Sequence, residues 1–153
     1  MGGSPLHRAC PALLAAAVAA AILVPAAPAA AAPCPSAHLS APTHHPKAGA
    51  RWPITVTCRT RSGRGIRATA LYQFVFNGQV VATRYPSPKA NPNSACSKAG
   101  TCRHSPYPFT GRMHDGTFSW PARAVGVPLK LRVVLSVRGK GSMHLDYAVK
   151  VHR

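Results

Sequence analysis

The chain contains no Glu and only two Asp, Asp115 and Asp146, against 19 Lys and Arg. Thirty residues separate the two acids, which leaves little room for the paired carboxylates of a glycosidase. No Gly-x-Ser-x-Gly nucleophile elbow occurs, and Ser119 and Ser136 fall in strand-like stretches. His114 beside Asp115 is the one adjacent base and acid, and Asp115-Gly116 is better read as a turn. The eight histidines lack ligand spacing such as His-x-Glu-x-x-His. His44 and His45 are neighbours that diverge on an extended chain, and His104, His144 and His152 are scattered. No catalytic residues, no metal ligands and no cofactor are therefore expected, and the protein reads as non-enzymatic.

Beyond residue 31 there is neither a second long apolar run nor a sustained 3.6-residue period, which argues against a further membrane span and against a helical bundle. The start of the chain is different. Met1 to Arg8 ends in His7 and Arg8, Ala9 to Val24 is almost wholly apolar, and an Ala- and Pro-rich run leads to Pro33. This order reads as a secretory signal peptide over residues 1–31, with cleavage before Ala32 after Ala29-Ala30-Ala31. An uncleaved anchor fits less well, because the apolar run falls short of the roughly 20 residues a span needs and is mostly Ala. Neither Cys10 nor Cys34 has a lipidation context. From Pro33 onward 121 residues remain, enough for one domain with its own core. The mature chain is expected to be secreted or extracellular, with possible envelope association, and monomeric.

Removal of Arg8 leaves 18 Lys and Arg against the two acids, a field that attracts polyanions. Arg outnumbers Lys 13 to 6, as a GC-rich coding bias would produce, but such a bias does not remove acids. Four cysteines remain after the leader: Cys34, Cys58, Cys96 and Cys102. An even number in an exported chain reads as two disulfides. Three pairings are possible. Cys34 to Cys58 with Cys96 to Cys102 is preferred, because the second pair closes only the short loop SKAGT.

Residues 32–49 read as a Pro- and His-containing lead-in with an edge strand near Ala37 to Ser40. In RWPITVTCRT the residues Trp52, Ile54, Val56 and Cys58 share one face, the mark of a half-buried strand. RSGRGIR then forms a basic, Gly-rich and flexible loop. The clearest local signal follows, LYQFVFNGQVVATR, in which Asn77-Gly78 suits a two-residue type I′ turn. That turn predicts Phe76 opposite Gln79, Val75 opposite Val80, Phe74 opposite Val81 and Tyr72 opposite Thr83, with Tyr72, Phe74, Phe76 and Val81 on one face. Five prolines between Tyr85 and Arg112 mark residues 85–112 as a long insertion stapled by Cys96 and Cys102. DGTFSWP reads as a turn and a short strand with Phe118 and Trp120 on one face. Leu129 to Val137 and Met143 to Val151 alternate in phase, odd positions apolar. A Gly139-Lys140-Gly141 loop would pair Val137 with Met143 and Val133 with Tyr147, with Asp146 diagonal to Arg132.

A Trp-containing strand with a Cys, YQFVFNG entering a hairpin, DGTFSWP, and a final hairpin from LKLRVVLSV to LDYAVKV resemble the strand succession of small immunoglobulin-like or fibronectin III-like domains. The chain is also similar to uncharacterised exported proteins of actinobacteria. The resemblance implies an all-β fold, an immunoglobulin-like antiparallel β-sandwich of about seven strands over residues 50–153. Such domains mostly bind or space rather than catalyse. Arg59, Arg61, Arg64 and Arg67 in the basic loop, and Lys130, Arg132, Arg138 and Lys150 on the polar face of the last hairpin, are the candidate polyanion-binding residues. The expected partner is an anionic polymer or lipid of the cell envelope or extracellular space. Nucleic acid is disfavoured by export and because Phe74, Phe76, Phe118 and Trp120 belong in a core. The alternative is a protein-binding ligand or inhibitor that uses the disulfide loop at residues 90–108.

Overall fold

Alternation of apolar and polar residues becomes seven strands in a computed structural model that describes residues 31–87 and 106–153. They are β1 (Ser36–Ser40), β2 (Ile54–Arg59), β3 (Arg67–Phe76), β4 (Gln79–Arg84), β5 (Tyr107–Asp115), β6 (Pro128–Val137) and β7 (Gly141–Lys150). Every strand pairing is antiparallel. β1-β2-β5 make one sheet and β4-β3-β6-β7 the other, and the fold is an immunoglobulin-like β-sandwich. Ladder bonds also join the two sheets, because the start of β3 pairs with the start of β5, from Arg67↔Thr110 to Ala70↔Tyr107. On the opposite side the lead-in covers the edge of β7. Lys150 N donates to His44 O at 2.9 Å, and Tyr147 Oη donates to Ala41 O at 3.2 Å. With both sides closed, the sandwich is nearly a barrel, and fewer backbone groups are left at open edges.

β5 passes from β3 to β2 at Gly111, which pairs with Cys58 and has φ 70°. A Cβ placed there would lie 3.0 Å from the Gly65 Cα, so the bend needs both glycines. Gly111→Ala is expected to cost about 2 kcal/mol, from the left-handed backbone and the crowding together. A urea midpoint compared with the unaltered protein checks it.

The core lies between the sheets. Tyr72, Tyr107, Phe118, Trp120, Ile54, Met113, Leu131 and Leu135 are all fully buried. Trp120 meets the rings of Phe74, Phe118 and Trp52 edge-on at centroid distances of 5.3, 5.5 and 5.6 Å. Each such contact adds roughly 0.5–1.5 kcal/mol beyond area burial. Trp52 anchors the cluster to the lead-in by donating Nε1–H to Thr43 O at 3.0 Å. The Cys34–Cys58 disulfide ties the start of the lead-in to the end of β2. The expected signal peptide up to residue 30, the expected Cys96 to Cys102 pairing and most of residues 90–108 lie outside the described residues.

Four expectations need correction. In the central hairpin Phe76↔Gln79 and Val75↔Val80 hold, and Asn77 and Gly78 both have positive φ, 48° and 81°. Beyond them a bulge inserts Val81, so Phe74 faces Ala82 and Tyr72 faces Arg84. The extra residue takes Val81 out of register with Phe74, and it is 56% exposed. In the last hairpin the loop is Arg138-Gly139-Lys140, and all pairs move by two residues, to Leu135↔Met143 and Val133↔Leu145. A shift of two keeps the side-chain phase, so the odd positions still face inward. The insertion is shorter than residues 85–112, because Tyr107 to Arg112 already belong to β5. Finally, TFSWPAR is not a strand. A single bridge, Arg51↔Ser119, and the bonds Trp52 N to Phe118 O and Gly49 N to Trp120 O hold its two aromatics inward, and a short 3-10 helix, Ala122–Ala124, follows.

Candidate functional site

Both acids have internal partners. Asp115 is 2% exposed at the end of β5, with His114 turned to the opposite face and exposed. Its carboxylate accepts from the backbone N–H and hydroxyl of Thr117 at 3.0 and 2.9 Å, and more distantly from Tyr72 Oη at 3.3 Å and Ser87 N at 3.4 Å. His114 Nδ1 lies 3.0 Å from Thr55 Oγ1 instead. The adjacent acid and base therefore do not face one another. Burial pushes the Tyr72 phenol well above its ordinary pKa, and the nearby Asp115 charge adds to the push.

Asp146 sits directly opposite Arg132, not diagonal to it. The guanidinium binds it through both oxygens, Nε at 2.8 Å and an Nη at 3.0 Å, and Lys130 Nζ joins at 3.1 Å. The bond from Arg132 holds the Asp146 carboxyl down at about 2, against an opposing push from burial and with help from Lys130. A depressed carboxyl contributes stability above its unfolded range and loses it as the pH falls through that value; at this open site the contribution is small. Lys130 and Arg132 are thus held by an acid, which weakens the polar face of the last hairpin as a docking surface. Lys150 is exposed, and its backbone N–H closes the lead-in seam.

The basic loop is differently placed. Arg59, Arg61, Arg64 and Arg67 are all exposed. Several hydrogen bonds close the loop on itself. Thr60 N donates to Arg64 O at 2.8 Å, Gly63 N to Thr60 O at 3.0 Å, Arg64 N to Thr60 Oγ1 at 3.0 Å, and an Arg59 Nη to Gly63 O at 3.0 Å. Its base is fixed by Arg59↔Gly65 and by Ile66 N donating to Cys58 O at 2.9 Å.

Register shows what else lies at this end. Thr69 on β3 pairs with Ser136 on β6. Two residues outward from that pair are Arg67 on one strand and Arg138 on the other, with Lys140 in the same exposed turn as Arg138. Six cations, Arg59, Arg61, Arg64, Arg67, Arg138 and Lys140, therefore lie in the two loops or on the strand ends beside them at one end of the sandwich. Lys140 does not stand out in the sequence, and Arg138 reads there as part of the hairpin face rather than of this end. Only the β3–β6 register joins the two loops.

Among the described residues no three His, Cys, Asp or Glu side chains come together as a metal site. His44 stacks on Tyr147 at 4.2 Å with its Nδ1 2.7 Å from Ala148 O, a structural use for one of the paired histidines. No family model matches the chain, and no curated protein and no solved structure matches it either.

Proposed function

We propose that the protein is a secreted, non-enzymatic module that docks through its basic end onto anionic polymers of the cell envelope or extracellular space. The observation that carries this reading is the gathering of six Lys and Arg in and beside the β2–β3 and β6–β7 loops while both acids are held elsewhere by internal partners. Guanidiniums suit phosphate, sulfate and carboxylate groups because they can donate two parallel bonds. A loop already held by its own hydrogen bonds loses little freedom on binding, so more of the electrostatic attraction remains as affinity. The leader-like start of the chain and the Cys34–Cys58 bond support export.

Attraction of this kind is screened by salt. If about four anionic groups are neutralised, affinity should fall roughly 100-fold between about 50 and 200 mM salt. Retention on purified cell walls, anionic vesicles and immobilised heparin, measured across that range, provides the test. Arg61→Ala with Arg64→Ala should flatten the salt dependence, and Lys130→Ala should leave it nearly unchanged. Absence of salt-dependent retention on all three supports would end the proposal.

A further inference from the structure

β4 stands at an edge of the sandwich. β4 pairs with β3 on one side, and among the described strands nothing pairs with its other side. Val80 and Val81 on this strand are the exposed large hydrophobic residues among the described ones, at 46% and 56%. The edge borders a groove of about 720 Å³ whose far wall is the Ser119 to Val127 connection. Val81 and Arg84 line the groove on the strand side, and Trp120, Arg123, Ala124 and Val127 line it opposite. Neither arginine has an ion-pair partner among the described residues, and the ion pairs present both belong to Asp146. Arg84 instead lies over the Phe118 ring, 5.3 Å from its centre.

We propose that this edge receives an extended acidic peptide segment of another protein as an added strand. An unpaired edge offers main-chain donors and acceptors, the groove takes alternate apolar side chains, and the two guanidiniums select carboxylates. Charge decides against a second copy of the chain as the occupant. Two such edges would bring their arginines together on proteins that each carry a formal net charge of +17. The Val81 bulge acts in the same direction, since it twists the strand and limits pairing to a short stretch, which disfavours the long flat ladder of self-association. This surface is distinct from the Arg59 to Arg67 loop and does not depend on its function.

The probe is a capped seven-residue peptide of alternating valine and aspartate, titrated into the isotope-labelled, disulfide-bonded protein and followed by NMR. Saturable shifts are expected at the amides of Val80 to Arg84 and at the Trp120 indole, with a dissociation constant below about 1 mM. A peptide with lysine for aspartate, and one N-methylated at alternate amides, should each bind at least about tenfold more weakly, as should the aspartate peptide to Arg123→Glu. Several results would overturn the proposal. One is shifts confined to Arg59 to Arg67 and Arg138, which would assign the peptide to the basic end. Others are equal binding by the N-methylated peptide, which would mean that no strand is added, and the absence of saturable binding.

Discussion

Replacing Asp115 by alanine should lower the unfolding free energy by about 3 to 4 kcal/mol, a large part of the roughly 5–15 kcal/mol typical of a domain. The carboxylate is buried and forms no ion pair among the described residues, where hydrogen bonds stabilise it. Its two short bonds, both from Thr117, fix the turn that carries Phe118 and Trp120 into the core. Its two longer ones link that turn to Tyr72 on β3 and to Ser87 after β4. Alanine would release the exposed Thr117 donors from the turn they fix and leave the fully buried Tyr72 hydroxyl without this acceptor, and an unpaired buried donor costs more than the bond itself contributes. Asp115→Asn keeps the shape and one acceptor, so about half the loss is expected. Urea midpoints for both variants measure the difference, and an Asp115→Ala protein as stable as its parent would refute this account of the turn.

The same pair sets an alkaline limit. The Tyr72 phenol is raised above its ordinary value of 10.0 by burial first and then by Asp115. The folded protein therefore holds this proton more tightly than the unfolded chain does. The resulting stability is complete below the unfolded pKa and declines as the pH rises toward the folded one. Tyr72 and Asp115 are 43 residues apart, and only the sandwich brings them together.

That separation shows which parts of the molecule are legible in the sequence. β2, β6 and β7 announce themselves by uninterrupted alternation, and the central hairpin by Asn77-Gly78. β5 is hidden, although Tyr107, Phe109, Met113 and Asp115 alternate inward, because Pro106, Pro108 and Gly111 carry the chemistry of a loop. The strand tolerates Pro108 because its first half has β3 on one flank only, so the missing donor can face away from the ladder. Registers fail for a different reason. A period of two fixes which face a residue occupies, but it cannot distinguish pairings that differ by two residues, and the last hairpin is displaced by that amount. The candidate site divides in the same way. Four arginines in one loop are visible in the sequence, whereas their proximity to Arg138 and Lys140 depends on long-range β3–β6 pairing. Conversely, the sequence already sets Asp146 near Arg132, but only the register puts it directly opposite, where it binds Arg132 through both oxygens and takes up Lys130 as well.

Opening the Cys34–Cys58 bond should cost nearly as much as losing Asp115. The two residues are 24 apart, and closing a loop of that length in the unfolded chain corresponds to about 3.5 kcal/mol on the chain-entropy account. The loss should be uneven across the fold. β1 is five residues long and among the described strands pairs only with β2, so the covalent link beside Ala37↔Cys58 supplies much of what keeps it in place. The later part of the lead-in has attachments of its own, through Lys150 N to His44 O and His152 N to Pro46 O at 3.0 Å. Cys34→Ala with Cys58→Ala should therefore let the amides of Ser36 to Ser40 exchange quickly with solvent while those of Val133 and Leu135 stay protected, and a reducing agent acting on the unaltered protein should do the same. Loss of protection across all strands at once would mean that the bond supports the whole sandwich. Unchanged protection in β1 would mean that Leu39, packed opposite Val56, holds the strand without it.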